Sequence, residues 1–335
     1  MVLSQLTPRY RVWIRSRIPP EFFNLFLPPP FHLDPMDVDA GCVQQDAVHV
    51  DSQASFGYLE QFCNHTERVL RQEAEWLEHQ EVDLVISDTP SLPLRAAWER
   101  GIPRLLISNF TWYDIYSHFP GHARYRKLLD PMRTDYSRAT TQILPQCHIQ
   151  NDYVEHQEET GFLAVTGKEI RNELENHLQW PLTGKTLIFI YLGIAGTASL
   201  DWEHLGRMGD FLFLTRDPLP QTVPNLFVLD ERFRYTDLIA SCDLVCTKAG
   251  YSTLATAFAH GKPVLSCSRD HFFEFQAIRR YLESREVGRI INSHRFYTCD
   301  WEGDIKKALE LNVKGRVPLN GEHKALQIID HLLSG

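Results

Sequence analysis

What most restricts the fold of this chain is a repeated pairing of short apolar runs with longer stretches of helical spacing. DLVISD (Asp83–Asp88) precedes a helical stretch, Leu92–Arg100, and then RLLISN (Arg104–Asn109). The second half carries TLIFIYLG (Thr186–Gly193), FLFLT (Phe211–Thr215), NLFVLD (Asn225–Asp230), DLVCTKAG (Asp243–Gly250), KPVLSCS (Lys262–Ser268) and GRIIN (Gly288–Asn292). Helical stretches fit between them at Ser252–Gly261 and Phe273–Arg285. Strands without polar alternation are buried on both faces, the condition of a parallel sheet covered by helices. Nearer the start, YRVWIR (Tyr10–Arg15) is strand-like, Cys42–Val50 has the mixed pattern of a half-exposed strand, and residues 54–80 carry helical spacing. The pattern predicts an α/β protein of two Rossmann-like parallel-sheet domains facing a cleft.

Length agrees, because 335 residues at ~150 per domain give about two domains. A polar stretch from Gly167 to Lys185, with a charged helix at Glu169–Leu178, marks the boundary. We expect one domain over 1–166, a linker over 167–185, a second domain over 186–321 and an amphipathic C-terminal helix, 322–335, packing on one of them. Thirty-four Lys and Arg against 43 Asp and Glu leave a net charge of −9. Nothing global then attracts nucleic acid or anionic lipid, so a bound phosphate needs a local site. No apolar run approaches the ~20 residues of a membrane span, and the N-terminus lacks the apolar run of a signal peptide. Seven cysteines, without a CxxC pair, argue against a disulfide framework and a structural zinc. The expected location is the cytoplasm, where the sequons at Asn64 and Asn109 carry no weight.

The chemistry concentrates in Ser241–Gln276. A strand there ends in Lys248-Ala249-Gly250-Tyr251-Ser252-Thr253, and a helix starts at once. The first N–H groups of a helix lack intrahelical partners and its dipole makes that end partly positive, which suits a diphosphate. Gly250 admits close backbone approach, Ser252 or Thr253 caps the helix or donates a hydroxyl, and Lys248 adds charge. The hexapeptide alone is equally a plain glycine turn with a Ser/Thr N-cap.

The longer spacing resembles the donor-nucleotide box of GT-B glycosyltransferases, which include plant UDP-sugar transferases and the bacterial peptidoglycan N-acetylglucosaminyltransferase. Lys248, Gly250, Thr253, Gly261 and Pro263 fall in its register, and Asp270, Glu274 and Gln276 occupy the polar region after the next strand. Over most of its length the chain also looks like the glycosyltransferases related to the N-terminal half of plant L-arabinokinases. The segments that carry this are DAGCVQQDAVHVD (Asp39–Asp51), DLVISDTPSLPLRAAWERGIP (Asp83–Pro103), SNFTWYDIY (Ser108–Tyr116), RFRYTDLIASCDLVCTKAGYST (Arg232–Thr253) and PLNGEHKALQII (Pro318–Ile329).

The resemblance implies a GT-B fold with an acceptor-side first domain and a donor-binding second one. It implies metal-independent transfer from a nucleotide-diphospho-sugar, with UDP as the first choice, to an acceptor it does not name. That co-substrate is the only cofactor implied. Gly193, Lys248, Gly250, Tyr251, Ser252 and Thr253 would surround the diphosphate, and one of Asp270, Glu274 or Gln276 would face the sugar or ribose. Two departures stand out. The family opens with a strand and a GxGHxxR loop, whereas SQLTPRYRVWIRS looks like the end of the first helix running into the second strand. The N-terminal domain is therefore expected to lack its first strand and loop. Where the family places a Glu on the ribose, this chain has Thr256.

Without the loop histidine, two residues remain as candidate bases. Asp88 stands at the C-terminal end of a parallel strand, where open α/β sheets gather ligands. His49 has Asp46 and Asp51 nearby, and alternation puts Asp51 on its face. Each has a plainer reading: an Asp before Thr-Pro-Ser is a common helix N-cap, and His49 suits an exposed strand face. No HExxH or HxH spacing supports a metal site. Asp37-Val-Asp39 spells a DxD, but in a Pro-flanked loop, and Gly193-Ile-Ala-Gly196 is half a dinucleotide fingerprint. Asn109 and Trp112, with Phe110, Tyr113 and Tyr116, fit either an acceptor pocket or, at helical spacing, a core. The leading expectation is a glycosyltransferase. The alternatives are a catalytically inactive sugar-nucleotide-binding or regulatory homologue, and a GT-B-fold epimerase.

Overall fold

The apolar runs form strands, and every pairing within the three sheets they build is parallel. The structure, a computed structural model, describes residues 1–193, 200–219, 221–269 and 271–334. It divides into unit 1 (Met1–Val43, Asp51–Leu163, Asn320–Gly335) and unit 2 (Gln44–Val50, Ala164–Leu319).

Unit 1 pairs β1 (Trp13–Arg15) with β2 (His32–Asp34) in one small sheet, and orders β3 (Val85–Ser87), β4 (Arg104–Ile107), β5 (Thr141–Leu144) and β6 (Gln157–Glu159) in another. The chain opens on a short helix, Val2–Leu6, that leads into β1, and the unit's strands fall into two separate sheets. The single helix expected over 54–80 is two, Ser52–Cys63 and Thr66–His79. They part where the Thr66 hydroxyl takes the Phe62 carbonyl at 3.3 Å, a carbonyl that an unbroken helix would give to the Thr66 amide. Leu70, Ala74 and Leu77 of the second helix pack on Val85, Ala96 and Ala97.

On the other side, Leu105, Ile107 and Ile143 meet Leu6 and two residues of the C-terminal helix Gly321–Ser334, Ala325 and Ile329. That helix belongs to unit 1, and its first residue explains the glycine. A Cβ on Gly321 would stand 2.3 Å from the Gly161 carbonyl oxygen, so only glycine admits this approach. The Asn320 side chain then accepts from the Gly161 amide at 3.1 Å.

Unit 2 builds one six-stranded sheet from β7 (Thr186–Tyr191), β8 (Phe211–Thr215), β9 (Leu226–Val228), β10 (Leu244–Thr247), β11 (Val264–Cys267) and β12 (Gly288–Ile291). Its order is β12-β11-β10-β7-β8-β9. From β7 the chain winds one way through β8 and β9, then returns to β10 and winds the other way. The stretch read as a linker, 167–185, is packed in this unit and includes the helix Arg171–Leu178. The Lys168 amide donates to Asp237 at 2.7 Å, the Ile170 amide to the Ser241 hydroxyl at 2.8 Å, and Arg171 pairs with Asp243 at 3.2 Å.

Cys42–Val50 is not a strand. Gln44 and Val50 form one isolated antiparallel bridge, because the Asp46 carboxylate accepts from the Val48 and His49 amides and folds the segment back on itself. Ala47 and Val48 lie in the core of unit 2, beside Ile188, Ile190, Phe213 and Trp301.

Candidate functional site

In an open parallel sheet, neighbouring strands whose connections leave in opposite directions part at their C-terminal ends, and ligands collect in that crevice. In unit 2 these strands are β7 and β10, in register at Tyr191 and Thr247. Beyond β7, Gly193 turns with φ +75°. The Lys248 ammonium lies against it, 3.5 Å from where a Cβ would stand. The rest of the partial fingerprint, through Gly196, falls outside the described residues.

Beyond β10 the left-handed residue is Ala249, at φ +60°, and not Gly250. Gly250 is the N-cap of the helix Tyr251–Ala259, with φ −66° and ψ 138°, a conformation open to any residue. No described atom lies within 4 Å of where its Cβ would be. Neither Ser252 nor Thr253 caps the helix: both lie inside it, and no described side chain bonds at the cap. Thr253 is buried. Thr256 is buried too, and its hydroxyl finds no partner among the described residues, so it faces the core of unit 2 instead of a ribose.

Sequence reasoning named His49 and Asp46 but did not anticipate Gln44 and Tyr297, nor that this segment stands beside the turn. The folded-back segment Gln44–Val50 belongs to unit 2, and the Gln44 side-chain oxygen is 3.4 Å from the Lys248 ammonium. His49 Nδ1 is 2.9 Å from the Asp46 carboxylate. The Tyr297 hydroxyl is 3.4 Å from the same nitrogen, and the two rings lie nearly parallel. Burial works to raise the Asp46 pKa, but the His49 ring, the His49 and Val48 amides and the Tyr297 hydroxyl outweigh it and hold the carboxyl at about 2. Burial and the Asp46 charge together push the Tyr297 phenol above its ordinary range. With Nδ1–H given to Asp46, His49 carries its lone pair on Nε2, the arrangement of a base fixed by a carboxylate. Asp51 serves the following helix. It caps the helix Ser52–Cys63, accepting from the Ala54 amide at 2.8 Å.

After β11 the polar region divides. Glu274 opens the helix Glu274–Arg285 and is buried, Gln276 is exposed, and Asp270 lies outside the described residues.

Unit 1 holds the remaining candidates. Asp88 follows β3 and does not cap the next helix, whose N-cap is Ser91. Its neighbour Thr89 is left-handed at φ +82°, a strained state for a β-branched residue. Three contacts hold it there: Tyr136 donates to the Thr89 carbonyl at 2.6 Å, Ser108 meets its hydroxyl at 3.2 Å, and Ser87 donates to the Pro90 carbonyl at 2.6 Å. Asp88 keeps contact with solvent, yet the crowding of protein atoms around it desolvates the carboxyl and raises its pKa. The Thr89 hydroxyl opposes that shift and the Asp39 carboxylate adds to it.

Asn109 is buried and its carbonyl accepts from the Ile149 amide at 2.7 Å. Trp112 is half-buried, its Nε1 donating to Asp39 at 2.7 Å. Tyr116 is wholly buried, so that part of the aromatic cluster is core. Asp37 of the DxD pairs with Arg17 at 2.5 Å. Among the described residues no three His, Cys, Asp or Glu side chains gather as metal ligands. No described helix is long and apolar enough to cross a membrane.

No family model matches the chain. L-arabinokinase of Arabidopsis thaliana is 27% identical to it over 308 residues, covering 89% of this chain and 29% of that protein. The chain thus spans under a third of that relative's length. A UDP-glucosyltransferase from Polygonum tinctorium superposes with a TM-score of 0.68 at 14% identity, covering 99% of this chain and 94% of that one. A putative UDP-N-acetylglucosamine 2-epimerase from Listeria monocytogenes superposes at 0.58 and 16% identity, covering 99% and 91%. At such identities the likeness is one of fold, and the fold is GT-B, with two Rossmann-like parallel-sheet units.

Proposed function

We propose that the chain is a glycosyltransferase whose unit 2 binds a nucleotide-diphospho-sugar at the parting of β7 and β10, with UDP as the nucleotide and no metal. Gly250 carries this reading. Neither its backbone conformation nor its packing against the described residues demands a glycine, and the absence of a side chain leaves room there for a ligand to approach the backbone. There a diphosphate would rest on the uncapped start of the helix Tyr251–Ala259 and meet the Lys248 ammonium. Both would stabilise the charge that grows on the departing diphosphate in the transition state. The helix dipole contributes only ~0.3–1 kcal/mol per charge at an exposed site. The amides and Lys248 therefore take the larger share, in the role a metal fills elsewhere.

His49, oriented by Asp46, and Asp88 are the two bases proposed for the acceptor hydroxyl, a function worth ~10²–10⁴-fold in rate. On the acceptor side we place the exposed part of the Trp112 ring, and with it Asn109.

Titration calorimetry against UDP, GDP, dTDP and their sugar conjugates tests the donor site. One nucleotide should bind, and Gly250→Trp should abolish its binding. A folded wild-type chain that binds none of them refutes the reading. Binding without turnover of any acceptor makes the chain a sugar-nucleotide-binding homologue.

A second reading has its own support. His49 and Tyr297 share a unit with the donor loop, where an epimerase acting on the donor's own sugar needs its acid and base. Solvent deuterium incorporated into the sugar ring of recovered donor separates that reaction from transfer.

A further inference from the structure

Arg269 has no place in the reading so far, and its surroundings are unusual for an arginine. It stands two residues beyond β11, the sheet neighbour of β10, with Thr247 and Ser266 in register. It therefore leaves the sheet at the same edge as Lys248. Only 4% of its surface is exposed. Its Nε is buried without a hydrogen-bond partner, and no carboxylate among the described residues pairs with its guanidinium.

The guanidinium instead lies over the Phe272 ring, 4.6 Å from Cζ to the centroid. That contact fixes its plane but leaves its charge unanswered. The Cys267 thiol, pushed up to about 12 by burial, feels Arg269 and Lys248 pulling it down and Asp46 pushing it up. A guanidinium cannot shed its proton at ordinary pH, and a buried charge without a counter-charge is strongly unfavourable. With no counter-charge among the described residues, the guanidinium is disposed to take an anionic ligand.

We propose that Arg269 is a second anion receptor of unit 2, taking oxygens of a charged group on the bound sugar nucleotide. That group is either the diphosphate or the carboxylate of a uronic sugar. The planar, two-pronged guanidinium suits both groups. The proposal rests on the donor-site reading above.

Calorimetry of Arg269→Gln against UDP, UDP-glucose, UDP-glucuronate and inorganic pyrophosphate tests it. A charged hydrogen bond of ordinary strength predicts a loss of roughly 10- to 100-fold in affinity. Equal losses for all four ligands assign Arg269 to the diphosphate. A loss confined to UDP-glucuronate assigns it to the sugar carboxylate. Unchanged affinity for all four in a folded variant overturns the proposal and leaves Arg269 as a strut on Phe272.

If the variant does not fold, a crystal of the wild-type chain grown with UDP-glucuronate decides. A guanidinium within hydrogen-bond distance of a phosphate or carboxylate oxygen supports the assignment, and one farther than about 4 Å from all of them overturns it. Failure here is distinct from failure of the donor site. Binding lost in Gly250→Trp but kept in Arg269→Gln sinks this inference alone, whereas a wild-type chain that binds neither nucleotide nor pyrophosphate sinks both.

Discussion

Units 1 and 2 are built from the same alternation of strand and helix, yet their main sheets order their strands differently. Unit 1 orders its four-stranded sheet β3-β4-β5-β6, so each connection moves on in the same direction. Unit 2 reverses direction between β9 and β10, and the reversal leaves β7 and β10 side by side with their following chains diverging. The burial of the strands differs in the same sense. β8 and β10 are buried at every residue, while β6, an edge strand, is largely exposed. Strand order, more than strand composition, decides where a sheet of this kind offers its amides and charges to a ligand.

Four substitutions test that contrast, from the largest expected effect to the smallest. Phe213→Ala removes a wholly buried ring from the unit 2 core and should cost about 3–5 kcal/mol. Calorimetric melting should show unit 2 unfolding earlier, and nucleotide binding should disappear with it. Gly321→Val drives a side chain into the Gly161 carbonyl and should cost unit 1 about 2–4 kcal/mol. Nucleotide binding below that transition should persist, and its loss would break the assignment of the donor site to unit 2.

Gly250→Ala adds a methyl that meets no described atom within 4 Å, so chemical denaturation should find stability unchanged within about 0.5 kcal/mol. UDP affinity should nevertheless fall about tenfold, or ~1.4 kcal/mol. A loss of stability instead would mean that the glycine is structural.

Asp217 gives the smallest effect. Burial raises its pKa to about 6, with Arg216 opposing. Because the folded pKa lies above the unfolded value, its contribution is fully present below pH ~4 and is lost as pH rises through about 6. Asp217→Asn should therefore stabilise the protein by about 1 kcal/mol at pH 8, allowing for its partial exposure, and by nothing at pH 4. Urea melts at the two values check the sign.

The sequence foretold most where burial is complete. FLFLT is β8 to the residue, because a strand buried on both faces writes its whole length in apolar residues. β2, β5 and β6 went unseen: β2 and β6 are short, polar strands defined by the neighbour they pair with, and β5 is a buried run of only four residues. The Cys42–Val50 pattern misled for a local reason: the Asp46 side chain competes with a sheet for the backbone amides. In the same way Asp51 was bound to its helix cap and Asp46 took its place beside His49. The strand-to-helix turn at Lys248-Ala249-Gly250 was legible because its residues are consecutive, although Ser252 and Thr253, read as possible caps, lie inside the helix. Gln44, Tyr297 and Arg269 were not, since tertiary folding brings them to the same strand ends from distant parts of the chain.

The division of the chain has a consequence for how the protein is made. Gln44–Val50, from within the unit 1 sequence, belongs to unit 2, and Asn320–Gly335, which follows unit 2, belongs to unit 1. During synthesis unit 1 is begun first, but its Ala325 and Ile329 leave the ribosome only after all of unit 2. The usual order, in which an N-terminal domain folds before the next emerges, is closed to this chain. Its halves must be finished in the reverse of the order in which they start, and neither can be cut out as one continuous fragment.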